Sequence, residues 1–202
     1  MRREDLGAAL IVLALGGPLA FMLASAFADG ETRRKETPLR ALLGDDAFEA
    51  LSRGEPSDVH YLGDDRLVPD FELQDQEGRT FRMSDMRGRV VVLNFWTVTC
   101  GPCIEEMPSL VELARILDER DDVEIVTIST DRSWDEVRTV MPPGAPLRVL
   151  LDPDRAVVRG RFGTRMYPET WIVDRHGVIR LRIDGARPWS SAIAVDAIES
   201  FL

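Results

Sequence analysis

An α/β domain is predicted for residues 68–202, and three observations predict it. The run Val90–Trp96 is continuous, β-branched and aromatic, as a strand covered on both faces requires. Directly after it the apolar period changes: Met107, Leu110, Val111, Leu113, Ala114 and Leu117 recur at helical spacing, so a buried strand runs into an amphipathic helix. Along the rest of the segment short apolar runs alternate with helical patterns and turn signals, with no internal repeat and no low-complexity tract.

The first element of the domain is a hairpin, in which residues 70–73 and 80–83 alternate apolar and polar side chains around Gln76-Glu77-Gly78. The buried strand and its helix follow. Residues 123–128 read as the next strand, and Ser133, with Glu136 three positions on, caps a helix over 133–140 that Pro142-Pro143-Gly144-Ala145-Pro146 stops. A strand over 147–151 and a helix over 154–162 precede Pro168. Residues 171–173 and 178–183 form a closing hairpin around the turn Asp174-Arg175-His176-Gly177, and 192–202 form the last helix.

Both cysteines fall where the buried strand gives way to its helix, in Thr99-Cys100-Gly101-Pro102-Cys103. Free backbone N–H groups and the positive end of the helix dipole favour a thiolate over a thiol there. Cys100 is accordingly the candidate nucleophile. Cys103, in the first helical turn and more enclosed, is placed to attack a mixed disulfide formed at Cys100 and release the partner reduced. Pro102 sits where a helix needs no backbone donor. Glu106, three residues beyond Cys103, shares its helix face and is a candidate for proton transfer; a solvated helix glutamate is the alternative, and Glu105 points elsewhere. Pro108 interrupts the hydrogen-bond ladder and is expected to kink the helix.

With Trp96 four residues before the first cysteine, Cys-Gly-Pro-Cys, Glu106 and Pro108, the chain resembles the thioredoxin superfamily. Within it the resemblance is to the membrane-anchored, thioredoxin-like reductases of cytochrome c maturation and related periplasmic thiol chemistry. Tyr167-Pro168-Glu169-Thr170-Trp171-Ile172-Val173-Asp174 is similar to that family's cis-proline loop and the strand after it. The resemblance covers roughly the last two-thirds of the chain. It implies a thioredoxin-like fold: a central mixed sheet flanked by helices, with an N-terminal hairpin extension and an extra helix–strand insert between Ser133 and Leu151.

The resemblance also implies an extracytoplasmic thiol–disulfide oxidoreductase that reduces protein disulfides, with apocytochrome c or a metal-centre assembly partner as substrate. It implies a membrane electron donor of the thiol-transporter type and no cofactor. Cys100, Cys103 and Glu106 are its catalytic residues. Trp96, Tyr167 and Pro168 contact the substrate: Trp96 shields the disulfide while serving as core, and a cis bond before Pro168 leaves the preceding backbone free to pair with an extended chain. Three positions depart from the family pattern. Thr99 stands where a second tryptophan is usual, Tyr167 is bulkier than the usual valine or threonine, and Asn94 replaces the buried aspartate of thioredoxin, which leaves Glu106 as the better proton acceptor.

At 202 residues and 45% hydrophobic content the chain can bury one full core, with appendages. A formal net charge of −10 excludes nonspecific nucleic-acid binding, which needs a basic surface. With two cysteines, both in one motif, the only intrachain disulfide available is Cys100–Cys103. His60 and His176 lack metal-ligand spacing, so no metal site is expected.

Residues 6–28 carry no charge, follow Arg2 and Arg3, and are long enough to span a bilayer. Residues 1–28 therefore read as a signal anchor, favoured by length, or as a signal peptide, favoured by Ala26-Phe27-Ala28 directly before Asp29. Arg33, Arg34 and Lys35 after the span balance Arg2 and Arg3, so charge alone does not orient it. The motif puts the domain outside the cytoplasm, periplasmic or extracytoplasmic, where a tethered reductase meets oxidised targets. Residues 29–67 read as a tether with one short helix that starts at Thr37-Pro38 and ends at Gly54, packed on the domain or lying near the membrane.

Two other classes stay open. A redox-independent binding or chaperone module on the same fold is disfavoured by the two intact cysteines. A peroxidase of the peroxiredoxin type, with antioxidant activity, is disfavoured by Leu93, which stands seven before Cys100 where that family has a proline.

Overall fold

Residues 67–202 are described by the structure, a computed structural model, together with Pro38, Arg40, Ala41, Leu42, Asp45 and Phe48. Strands β1 (Glu72–Asp75), β2 (Thr80–Arg82), β3 (Val90–Trp96), β4 (Val123–Ser129), β5 (Arg148–Leu151), β6 (Glu169–Val173) and β7 (Ile179–Asp184) are interleaved with helices α1 (Gly101–Ile116), α2 (Trp134–Val137) and α3 (Ala192–Glu199). The strands join one sheet in the order β2-β1-β5-β4-β3-β6-β7. β4 runs parallel to β3 and β5, and every other neighbour is antiparallel, so this is the mixed, helix-flanked sheet that the resemblance implies. Within the insert, β5 bridges β4 and β1 and so joins the N-terminal hairpin to the sheet.

β3 is buried along its whole length, and its period of two sorts the core. Val90, Val92 and Trp96 face one cluster with Met107, Leu110 and Leu113 of α1 and Ala194, Ala197 and Ile198 near the C-terminus. Val91, Leu93 and Phe95 face the other, with Phe71, Phe81, Phe162 and Trp171. Asn94 falls on the α1 face by the same alternation, which puts a polar side chain beneath the cysteine helix. Ser133 and Ser191 cap α2 and α3 by accepting from Glu136 N and Ala194 N. α1 continues through Pro108, which is exposed.

The expected helix over 154–162 does not form; the stretch is a succession of turns. Asp152 Oδ2 takes the N–H groups of Val157 (3.1 Å) and Val158 (2.7 Å), and Arg155 turns the chain with φ 59°. Arg155 O and Val157 O then each take two N–H groups, four and five residues on (Arg159 and Gly160, Arg161 and Phe162), so single helical turns form without a continuous ladder.

The helix expected after Thr37-Pro38 has all six described residues of that region helical. Leu42 is buried in the α1-side cluster, which favours a helix packed on the domain over one lying near the membrane. The rest of residues 1–66, including the span 6–28 and His60, lies outside the described residues. Among those, no helix is long and apolar enough to cross a membrane.

Candidate active site

The parallel register Trp96↔Ser129 sets the ends of β3 and β4 side by side, and the loop leaving β3 is tied across that step. Asp131, buried just past β4, accepts from Thr97 Oγ1 at 2.6 Å, from Val98 N at 3.0 Å and from Ser129 Oγ at 2.7 Å. Three donors on one carboxylate fix the approach to the cysteines. Cys100 N then donates to Thr97 O at 3.1 Å, which closes the turn into α1.

Cys100 is the N-cap of α1, with extended backbone (φ −95°, ψ 103°), and Gly101-Pro102 fill the first helical positions. The Cys103 N–H donates to Cys100 Sγ at 3.2 Å, so one of the free donors at the helix start is spent on that sulfur. The two cysteines form a disulfide with Cα atoms 5.2 Å apart. Cys100 is half-buried, whereas Cys103 is fully buried. Cys103 is thus the more enclosed of the two, as expected.

Glu106 is buried, unlike its exposed neighbour Glu105, so it is no solvated helix glutamate. Its Oε1 accepts from Asn94 Nδ2 at 2.8 Å, and its Oε2 from Trp189 Nε1 at 3.0 Å and Arg187 N at 3.1 Å. Burial pushes its carboxyl above the ordinary glutamate value, against the opposing pull of these three donors. Asn94 spends its second N–H on Thr170 Oγ1 of β6 at 2.9 Å, and its own oxygen is buried with no partner among the described residues.

Trp96 is fully buried in the cluster that holds Cys103, and its indole N–H has no partner among the described residues. The Tyr167–Pro168 bond is cis. Phe95 pairs with Glu169, so Pro168 stands at the level of Trp96, at the end of the sheet from which the cysteine loop departs. Pro168 O accepts from Gly185 N at 2.9 Å, while the main chain of Tyr167 makes no hydrogen bond among the described residues. Tyr167 packs against both core clusters. Behind it Glu169 is buried between Thr164 Oγ1 (2.7 Å) and Arg182 Nη2 (3.0 Å), and burial raises its carboxyl also.

All six candidate residues thus sit at or beneath one end of the sheet. Asp131, Arg187, Trp189 and Thr170 were missed by the sequence reading. Asp131, Arg187 and Trp189 follow strands and Thr170 lies within β6, and no spacing along the chain points from any of them to the cysteines.

The model of the AhpC/TSA family matches residues 65–182, more than half of the chain. The chain belongs to the AhpC/TSA family. Thiol-disulfide oxidoreductase ResA of Geobacillus thermodenitrificans (strain NG80-2) is 34% identical over 119 residues, 58% of this chain and 67% of that protein. ResA of Bacillus thuringiensis (strain Al Hakam) is 31% identical over 136 residues, 67% of this chain and 78% of that protein. A solved structure assigned as the thiol:disulfide interchange protein DsbE of Chlorobium tepidum aligns with a TM-score of 0.60 at 24% identity, over 72% of this chain and 99% of that one, and shows the shared thioredoxin-like fold. With its cysteine pair joined at the head of α1, this family member is a thiol–disulfide oxidoreductase.

Proposed function

We propose that this oxidoreductase is a membrane-tethered, extracytoplasmic reductase of protein disulfides, with apocytochrome c or a metal-centre assembly partner as substrate. The observation that carries the reading is the unequal exposure of the pair: Cys100 half-buried at the helix start, with Cys103 N–H on its sulfur, and Cys103 fully buried, three residues before a buried carboxylate on the same helix. Residues 6–28 supply the membrane anchor and residues 29–67 the tether. The relatives named ResA support the thiol chemistry, and the Tyr167 main chain, which makes no hydrogen bond among the described residues, supports an extended polypeptide as substrate.

In the first step the Cys100 thiolate attacks one sulfur of the partner's disulfide. That S–S bond breaks, a mixed disulfide forms at Cys100, and the partner's other sulfur leaves as a thiolate that takes a proton from water. In the second step Cys103 passes its thiol proton to Glu106 and attacks Cys100 Sγ. The Cys100–Cys103 disulfide closes, and the departing partner thiolate recovers the proton from Glu106. The partner gains two electrons, and a membrane donor of the thiol-transporter type returns the pair to the dithiol. Trp96 shields the disulfide from within, and Tyr167-Pro168 aligns the partner's backbone.

Trapping tests this. The full chain carrying Cys103→Ser, expressed in its native envelope, is expected to accumulate mixed disulfides through Cys100, and those adducts name the partner. Absence of adducts, or adducts that persist when Cys100 is replaced as well, would overturn the reading.

A further inference from the structure

Trp189 lies beyond β7, far along the chain from the cysteines, yet it is fully buried against α1. Its segment is fastened to that helix at two successive levels. At the upper one, Glu106 Oε2 accepts from both the Trp189 indole N–H (3.0 Å) and the Arg187 backbone N–H (3.1 Å). At the lower one, Ser109 Oγ accepts from Trp189 N (3.1 Å) and bonds Glu106 O (2.7 Å) and Arg187 O (3.3 Å). Ser109 ties the segment to α1 independently of the Glu106 side chain, and the two donors on Oε2 are aimed at one oxygen of the buried carboxylate that shares its helix face with Cys103.

We infer that Trp189 is a positioning residue for the reaction, its indole N–H holding the Glu106 carboxylate in place beside Cys103 and sustaining its charged, proton-accepting form. The inference rests on the reading of Glu106 as the proton acceptor of Cys103. A hydrogen bond to the charged form of an acid favours that form, and here it opposes the burial that pushes Glu106 up. The other groups acting on the carboxylate are the Asn94 amide, the Arg187 main-chain N–H and the positive charge of the Arg187 side chain, which also favours the ionised acid; none of them changes charge in the working range. Removing the indole donor therefore leaves Glu106 protonated to higher pH and delays its use as a base.

The experiment is the rate of reduction of a model protein disulfide by the reduced full chain, from acid to alkaline pH, in wild type, Glu106→Gln, Trp189→Phe and Ser109→Ala. Beside the acid limb on which the Cys100 thiolate forms, wild type is expected to show a second acid limb that Glu106→Gln abolishes. Trp189→Phe keeps a ring in the core and is expected to move that limb up by about one pH unit, so that reduction on the limb is roughly ten-fold slower while the alkaline plateau stays near wild type. Ser109→Ala loosens the same segment without touching the donors on Oε2, and is expected to leave the limb in place. If Glu106→Gln abolishes the limb but Trp189→Phe does not shift it, the inference fails and the reading of Glu106 stands. If Glu106→Gln leaves the limb unchanged, both fail. A measurement that does not need Trp189→Phe covers the case in which that variant does not fold: one tryptophan indole N–H resonance of wild type is expected to titrate with the midpoint of the limb and to stop doing so in Glu106→Gln. A full set of indole signals that ignores pH across the limb overturns the inference.

Discussion

At the scale of single residues the site is a buried acid ringed by donors. Asn94, Arg187 and Trp189 together offer three N–H groups to Glu106, and charge-assisted bonds of this kind are roughly twice as strong as neutral ones. Burial still prevails, and the native carboxyl sits above its ordinary value of 4.5. The consequence for stability has a definite sign. A folded-state value above the unfolded one contributes stability that is fully present below the unfolded value and is lost as pH rises through the folded one. Wild type is therefore expected to lose stability between the ordinary glutamate range and the raised value of Glu106, and Glu106→Gln is expected to lack that loss. Urea denaturation of the two oxidised proteins from acid to neutral pH checks it: the stability of the variant relative to wild type should rise with pH. A difference that is flat, or falls, would place the folded-state value at or below the unfolded one.

At the scale of elements, the turns are as exacting as the strands. The β6–β7 turn carries Gly177 at φ 74°, and a Cβ there would lie 0.9 Å from Arg87 Nη1, which donates to His176 O at 2.9 Å. Gly78 in the β1–β2 turn has a similar φ of 77° but open space around it. Gly177→Ala is thus expected to cost about 1–3 kcal/mol, from left-handed backbone plus displacement of Arg87, and Gly78→Ala about 1 kcal/mol from backbone alone. Equal costs in urea denaturation would mean that the Arg87 contact contributes nothing. Both hairpins were legible in the sequence because their periods and turn residues agree, and β3 and α1 because the change of period marks their junction. The stretch 154–162 was misread as helix: Val157, Val158 and Phe162 have a helix-like spacing, but the Asp152 carboxylate and the positive φ of Arg155 are tertiary choices that no local pattern encodes. Within the site, Cys100, Cys103 and Glu106 were legible because they lie on one helix. Thr170 and Trp189 were not, since they reach the network from 76 and 83 residues away along the chain.

At the scale of the whole molecule, the sheet separates two cores, and the cysteine helix belongs to the one that Leu42 also enters. That contact bears on where the proposed enzyme works. If residues 6–28 stay in the membrane, residues 29–37 are all that separates the bilayer from Pro38, and an extended chain gains at most about 3.3–3.6 Å per residue. Pro38 is then held within roughly 35 Å of the membrane surface, and the domain stays close by, because Leu42 is buried in its core. A reductase so placed suits partners that emerge from, or sit on, the same membrane, and it meets a membrane electron donor without diffusing to it. The full chain is accordingly expected in the membrane fraction, with Cys100 of the reduced protein labelled in intact spheroplasts by a thiol reagent that does not cross the bilayer. Cys103, fully buried, should stay unlabelled until the protein is denatured. Recovery of a soluble form that begins at Asp29 would show that residues 1–28 are a cleaved signal, and the domain would then be free of the distance limit. Labelling of Cys100 only after lysis would place the domain on the cytoplasmic side and remove the extracytoplasmic part of the proposal, leaving the thiol chemistry itself intact.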